Sequence, residues 1–403
     1  MRRYISVSVL IFLFVVSTFT NSILLIDGYC KEPGNNKKEE ISKIFFVPQA
    51  GQIGCSYYSN YGRKDRGKIR FFSIEDGKEI NLILLDIRES ASRVASSHDG
   101  KLIGAASFVW SEQISSGSQS AGIGCYSLAE NKWLWRANWP DWEETRKDFI
   151  KDVVFTQDDK KIIAVGERSV FIYDSRTGEI LKKWREPLKE YPLLRFGFTQ
   201  AAFAANGRYL VIWQEYQPSH LKDFLFWFMV NRNVTVWDLE QYKLVARWKR
   251  PKTLYWGGYL SDEFIFGSAD GYIMIWSISE QKMVRKWKAH WGREGYEPYA
   301  YSSRLMALTV SQDGKYIATK GFGVDKHGEH DFVKNVIKIW DLETGKFIHE
   351  FTGIEYGSIG KYRMVFSPDS RYFAFDQNGK LCLYDTQTWQ EKWCVPTSTE
   401  GKD

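Results

Sequence analysis

The first residues to test are those whose types and spacing could do chemistry. Gly62-Arg63-Lys64-Asp65-Arg66-Gly67-Lys68 has the outline of a phosphate-binding loop, but Ile69 stands where such a loop needs the Ser or Thr that holds magnesium. The apolar alternation that follows reads as a strand, so no helix N-terminus is offered to a phosphate. Ser97-His98-Asp99 has the residue types of a nucleophile relay. Three consecutive residues in a tight turn cannot line up as nucleophile, base and orienter, and the segment reads as a turn. Asp325, His327, Glu329, His330 and Asp331 bring imidazoles and carboxylates close enough for Zn²⁺ or another divalent cation, with Asp325, His327 and His330 as the candidate ligands. His220 and His290 would come from the same face. The alternative is a solvated loop, because this stretch contains glycine and no helix sets its geometry. Neither G-x-S-x-G nor H-E-x-x-H occurs.

A different chemistry is written into Phe224-Leu225-Phe226-Trp227-Phe228-Met229, six large apolar residues in a row. If the run continues the next strand, alternate side chains are buried between neighbouring elements. If it is exposed, it is a docking patch for a protein partner or a membrane surface. The docking reading is the sharper expectation, since a strand would bury only half of the run.

The elements that must position these residues are announced by a repeat. An aromatic residue followed by a polar turn recurs as IRFFSIEDGK, IGCYSLAENK, VFIYDSRTGE, VTVWDLEQYK, IMIWSISEQK, IKIWDLETGK and LCLYDTQTWQ. The aromatics are Phe72, Tyr126, Tyr173, Trp237, Trp276, Trp340 and Tyr384, spaced by 54, 47, 64, 39, 64 and 44 residues. Eleven residues further on stand Trp184, Trp248, Trp287 and Phe351, while Trp135 and Trp393 come after nine. A two-residue-shorter turn would keep the same face, so Tyr384 and Trp393 are expected to share one. Upstream, Asp99, Asp158, Asn206, Asp262, Asp313 and Asp369 mark tight turns between apolar segments. Four short strands recurring every 40–65 residues make the blades of a propeller.

On these residues the chain resembles WD40 repeats. IWDLETGKFIHEF, VWDLEQYKLVARW, SQDGKYIATKG and SPDSRYFAF carry the likeness, which runs from Ile44 to about Val395. It implies an all-β fold, a seven-bladed β-propeller of four-stranded antiparallel blades, and a rigid platform for binding other proteins. The Trp-Asp dipeptide stands only at Trp237-Asp238 and Trp340-Asp341. The family's Gly-His is absent, with His290 alone in a comparable place, so its buried Asp–His–Ser/Thr–Trp network is not expected to assemble. YDSRTGEILKKW also resembles the repeat of quinoprotein propellers, in which an Asp, a Gly and a later Trp lock neighbouring blades.

 This chain has no adjacent cysteine pair of the kind that meets the quinone in many of those enzymes.

The rest of the chain bounds the function. Aromatic residues make up 16% of it, with 17 Trp and 32 Gly but 10 Pro, a composition suited to many short strands and tight turns. The 55 Lys and Arg exceed the 49 Asp and Glu by six, with no long basic block, so no nucleic-acid partner is expected. Residues 1–30 read as a signal peptide or signal anchor, with Arg2 and Arg3 before an apolar core; if uncleaved, residues 5–26 are long enough to span a bilayer. A polar linker at 31–42, the propeller at 43–396 and a polar tail at 397–403 complete the expected organisation. Export permits disulfides among Cys30, Cys55, Cys125, Cys382 and Cys394. Because Cys394 lies one residue beyond Trp393, the expected register turns it away from Cys382, and no bond between them is predicted. The functional expectation is an extracytoplasmic, non-catalytic propeller that scaffolds protein partners or serves as the binding subunit of a complex, with no cofactor. The alternative is an enzyme or ligand-binding propeller using a metal, a quinone or a glycan at one face.

Overall fold

The computed structural model describes residues 40–58, 66–87, 89–110, 119–138, 150–166, 169–185, 198–203, 208–215, 233–249, 254–260, 263–268, 271–290, 305–324, 330–355 and 363–396. These residues form seven antiparallel sheets of four strands each, and they contain no α-helix. Blade 1 is β1 (Glu40–Val47), β2 (Gln52–Tyr58), β3 (Arg66–Ser73) and β4 (Glu79–Ile87). Blade 2 is β5 (Glu89–Ser96), β6 (Leu102–Trp110), β7 (Gln119–Ser127) and β8 (Lys132–Asn138). Blade 3 is β9 (Asp152–Phe155), β10 (Lys161–Val165), β11 (Ser169–Asp174) and β12 (Ile180–Arg185). Blade 4 is β13 (Phe198–Phe203), β14 (Tyr209–Glu215), β15 (Asn233–Asp238) and β16 (Lys243–Lys249). Blade 5 is β17 (Leu254–Leu260), β18 (Glu263–Ser268), β19 (Tyr272–Ser277) and β20 (Lys282–Lys288). Blade 6 is β21 (Leu305–Val310), β22 (Tyr316–Val324), β23 (His330–Asp341) and β24 (Phe347–Glu355). Blade 7 is β25 (Met364–Phe366), β26 (Tyr372–Gln377), β27 (Lys380–Asp385) and β28 (Glu391–Pro396).

Strands pair in chain order within every blade, so each blade is a meander whose strands are called a to d here. The a strands touch in sequence from β1 through β5, β9, β13, β17, β21 and β25, and β25 returns to β1. The ring is therefore closed, with the a strands around its axis. The d strands form the outer rim, and every exposed large hydrophobic among the described residues lies on one of them. No strand is shared between the first and last blades. They join through side chains: Ile44, Phe46, Ile53 and Phe72 of blade 1 pack with Ala374, Leu383 and Trp393 of blade 7.

The aromatic repeat is the bolt between blades. Trp135 on strand d of blade 2 stacks on Tyr173 on strand c of blade 3 at 5.5 Å, and Trp248 stacks on Trp276 at 4.6 Å. Trp184 meets Trp237 at 5.8 Å and Phe351 meets Tyr384 at 4.6 Å between the same two strands, with the rings tilted. Each c–d turn then has a residue at positive φ, five places after the strand-c aromatic: Gly77, Asn131, Gly178, Tyr242, Gln281, Gly345 and Trp389. At Gly178 the requirement is double. Its φ is +75°, and a Cβ there would stand 2.5 Å from the Trp135 ring. The indole Nε1–H of Trp135 donates to Ser175 O at 2.9 Å, and Trp393 repeats the contact with Ile74 O at 2.9 Å across the closure of the ring.

Two sequence expectations about register are corrected together. The strand-c and strand-d aromatics of one blade do not share a face. Tyr173 pairs with Ile180, but Ile172 pairs with Lys182, so Leu181 is an extra residue in strand d. The same bulge occurs in all seven blades just after the c–d turn. One inserted residue moves every later side chain to the other face. In blade 7 the extra residue is Lys392; Leu383 pairs with Trp393 and Cys382 pairs with Cys394. Those two cysteines are joined in a disulfide, contrary to the prediction. The strands on either side of the Asp325–Asp331 cluster reach close to it. β22 runs to Val324, β23 starts at His330, and the two residues pair.

Candidate functional site on the propeller axis

One face of the ring carries the a–b and c–d turns, and Ser and Asp side chains there hold those turns. Ser97 Oγ donates to Asp99 Oδ1 at 2.7 Å and accepts from Leu102 N at 2.9 Å. Ser311 with Asp313 and Ser367 with Asp369 repeat this arrangement. Neighbouring turns are also tied together, since Asp159 of blade 3 accepts from the backbone N–H of His98 and of Asp99, both at 2.8 Å. His98 Nδ1 lies 2.9 Å from the same carboxylate. The Ser97 hydroxyl is thus directed at Asp99, and Ser97-His98-Asp99 is a turn, as its spacing implied. Lys68 and Ile69 lie within β3, which is the strand expected after the phosphate-loop outline.

The opposite face carries the b–c connections and the links between blades, and charge gathers on the axis beneath it. Lys43, Arg93 and Asp152 occupy one register position on three a strands. Each lies three residues before an equivalent a–b pair: Phe46 with Ile53, Ser96 with Ile103, Phe155 with Ile162. Lys43 Nζ stands 3.3 Å from Asp152 Oδ1. These residues belong to blades 1 and 3, so their contact spans the second blade at the axis. Arg93, from that second blade, donates through Nε to Lys151 O at 2.6 Å. Burial holds the Lys43 ammonium below its usual range, Asp152 opposes that shift, and Arg93 adds to it.

Arg363 stands at the same position in blade 7, three residues before Phe366, which pairs with Phe373. Its Nη1 is 3.3 Å from Asp376 Oδ2, with both side chains almost fully buried. Asp376 also accepts from Gly379 N in the b–c turn at 2.9 Å. Burial raises the Asp376 carboxyl against the pull of that N–H, Arg363 and Lys320. Lys320, on strand b of blade 6, is 3% exposed, and burial pushes its pKa down to about 8 despite the Asp376 carboxylate. Four cations and two carboxylates therefore line this level of the ring. Such an excess suits an anionic group presented at the mouth of the axis.

Sequence reasoning missed these six residues. Their signal was a charge inside an otherwise apolar strand, as in ISKIFFV, ASRVAS and RMVF, read with the blades aligned on their a–b turns. Blade 6 holds a further buried polar chain. His290 Nε2 is 3.0 Å from Thr319 Oγ1, which accepts from Trp340 Nε1 at 2.9 Å. This buried His–Thr–Trp chain supplies three of the four members of the Asp–His–Ser/Thr–Trp network that was expected not to assemble. It forms because a single His preceding strand a suffices when strands b and c of the same blade supply Thr and Trp.

Of the residues singled out beforehand, Phe224, Leu225, Phe226, Trp227, Phe228 and Met229 lie outside the described residues, as do Asp325, His327 and His220. His330 is the first residue of β23. The strand ends that lead to both segments, Glu215 with Asn233 and Val324 with His330, are b–c ends and belong to the axial-cluster face. No protein-family model matches the chain, and no curated protein matches it either.

Proposed function

We propose that the protein is an extracytoplasmic, non-catalytic propeller of WD40-like type that binds protein partners on its b–c face, as a scaffold or as the binding subunit of a complex. The observation that carries this reading is the closed ring, in which seven blades are bolted together and one face combines a charged axial floor with the longest b–c connection. The His290–Thr319–Trp340 chain supports the WD40-like assignment. The Cys382–Cys394 disulfide supports an oxidising compartment, in keeping with a chain that begins like an export signal. In this reading the 224–229 run is the apolar anchor of the partner and the axial cations receive its acidic groups.

The test is the double variant Phe226→Ser/Phe228→Ser, purified from the native source alongside the wild type. The expected result is an unchanged melting temperature together with loss of the co-purifying partner. Were the run packed between blades, the same changes would lower stability by several kcal/mol, with about 3 kcal/mol or more for each large side chain removed. A variant that melts much earlier yet keeps every wild-type partner defeats the reading.

A further inference from the structure

The sequence shows no basic block, yet the fold makes one. On the rim, β8 carries two Lys or Arg residues, β12 three, β16 three and β20 four, and these four strands carry no Asp or Glu. On the other three blades the balance reverses: β24 and β4 have two carboxylates each and no Lys or Arg, and β28 has one of each sign. Because blades 2 to 5 are consecutive, twelve basic residues fall on one continuous arc of the rim. On the remaining arc the d strands carry more carboxylates than cations, with Glu79 paired to Arg70 and Glu350 to Lys338. Lys182, Lys183, Lys243, Arg247 and Lys286 are all exposed. Some neutralisation comes from the turns, where Lys132 pairs with Glu130 and Lys282 with Glu280, and Arg285 reaches Glu263 at 3.4 Å.

The shape and composition of this arc select its occupant. It is convex and crosses four strand edges, so a flat bilayer could meet only its middle, whereas a flexible chain can follow it. Exposed apolar residues do not favour a membrane here, because they occur equally on the remaining arc, at Ile80, Leu82 and Phe347. Single-stranded nucleic acid is bound on aromatic platforms. Of the five d-strand tryptophans on this arc, Trp135, Trp184, Trp248 and Trp287 are turned inward against the next blade, and Trp133 is half-buried against Tyr126 and covered by Arg136. We infer that the basic arc of blades 2 to 5 is a binding surface for a flexible acidic polysaccharide, distinct from the b–c face assigned to protein partners.

The test uses the full chain and fluorescent dextran sulfate as the probe, with neutral dextran, oligo-dT and phosphatidylglycerol vesicles as comparators. Wild-type protein is expected to bind dextran sulfate with an affinity that falls steeply with salt, and not to bind neutral dextran. Replacing Lys183, Lys243 and Arg247 with Gln is expected to weaken binding by about tenfold or more at low salt and to lower the log–log salt slope by about 2. The charge-keeping variant Lys183→Arg/Lys243→Arg/Arg247→Lys should bind like the wild type. If the triple Gln variant fails to fold, Arg247→Gln alone is read for a slope change of about 0.7. Unchanged affinity and slope in the Gln variant overturn the proposal. So does oligo-dT or vesicle binding that matches dextran sulfate and depends on the same three residues.

Discussion

At the scale of single residues, the inter-blade bolt depends on a pairing of opposites: a large ring in one blade needs the absence of a side chain in the next. Trp135 lies across the turn of blade 3 where Gly178 has a φ of +75°. A residue with a Cβ meets two penalties at that position, one from its own backbone and one from the indole. The two can be separated. Trp135→Ala is expected to cost about 3–5 kcal/mol, through lost packing on Tyr173 and a cavity between blades. Gly178→Ala is expected to cost more than the ~1 kcal/mol typical of a left-handed Ala, because its methyl collides with the ring. The double variant should be less destabilised than the sum, since removing the indole clears the collision and leaves only the backbone cost. Denaturant unfolding of the four proteins measures the coupling. Strict additivity would mean that the ring does not rest on the glycine.

At the scale of elements, strand existence was legible and strand facing was not. The aromatic at the end of strand c, the polar turn and the apolar alternation fixed the positions of the hairpins well before any pairing was known. The bulge in strand d has no such signature, because the inserted residue is Ile80, Leu134, Leu181, Val245, Val284, Ile348 or Lys392 and no special backbone residue marks it. A rule of two is faultless for a regular strand and fails for one residue too many. That single step hid the Cys382–Cys394 bond, which staples the outer strand of blade 7 to its neighbour. The loop it closes is short, with a sequence separation of 12. A bond over a loop of that size contributes about 3 kcal/mol by restricting the unfolded chain. The variant Cys382→Ala/Cys394→Ala should therefore lose about 2–3 kcal/mol in denaturant unfolding, and reductant should destabilise the wild type but not the variant. A reductant effect of equal size in both proteins would rule the staple out.

At the scale of the whole molecule, the ring turns residues dozens of positions apart into neighbours, and this is what a linear reading of charge could not see. Lys43 meets Asp152 across the axis, and cations spaced along four repeats become one arc of the rim. The same convergence buries charge where blades 6 and 7 meet. Lys320 faces the field of Asp376 and Arg363 with burial as the dominant influence, so its pKa falls from 10.5 to about 8. The consequence for stability follows from proton counting. Below pH 8 Lys320 is charged in both folded and unfolded chains, and the fold bears the full cost of the buried ammonium, about 3 kcal/mol. Between about pH 8 and 10.5 the unfolded chain holds a proton that the folded one has released, and stability rises with pH. Above that range both forms are neutral and the cost is gone. Lys320→Met should accordingly be more stable than the wild type at pH 7, by up to about 3 kcal/mol. Its advantage should shrink as pH climbs through the window, while other alkaline titrations cancel in the difference between the two proteins. Denaturant midpoints of both proteins from pH 7 to 10.5 provide the measurement. A wild type that is the more stable of the two at pH 7 would show that the Asp376 carboxylate outweighs burial, and that the ammonium helps hold blades 6 and 7 together.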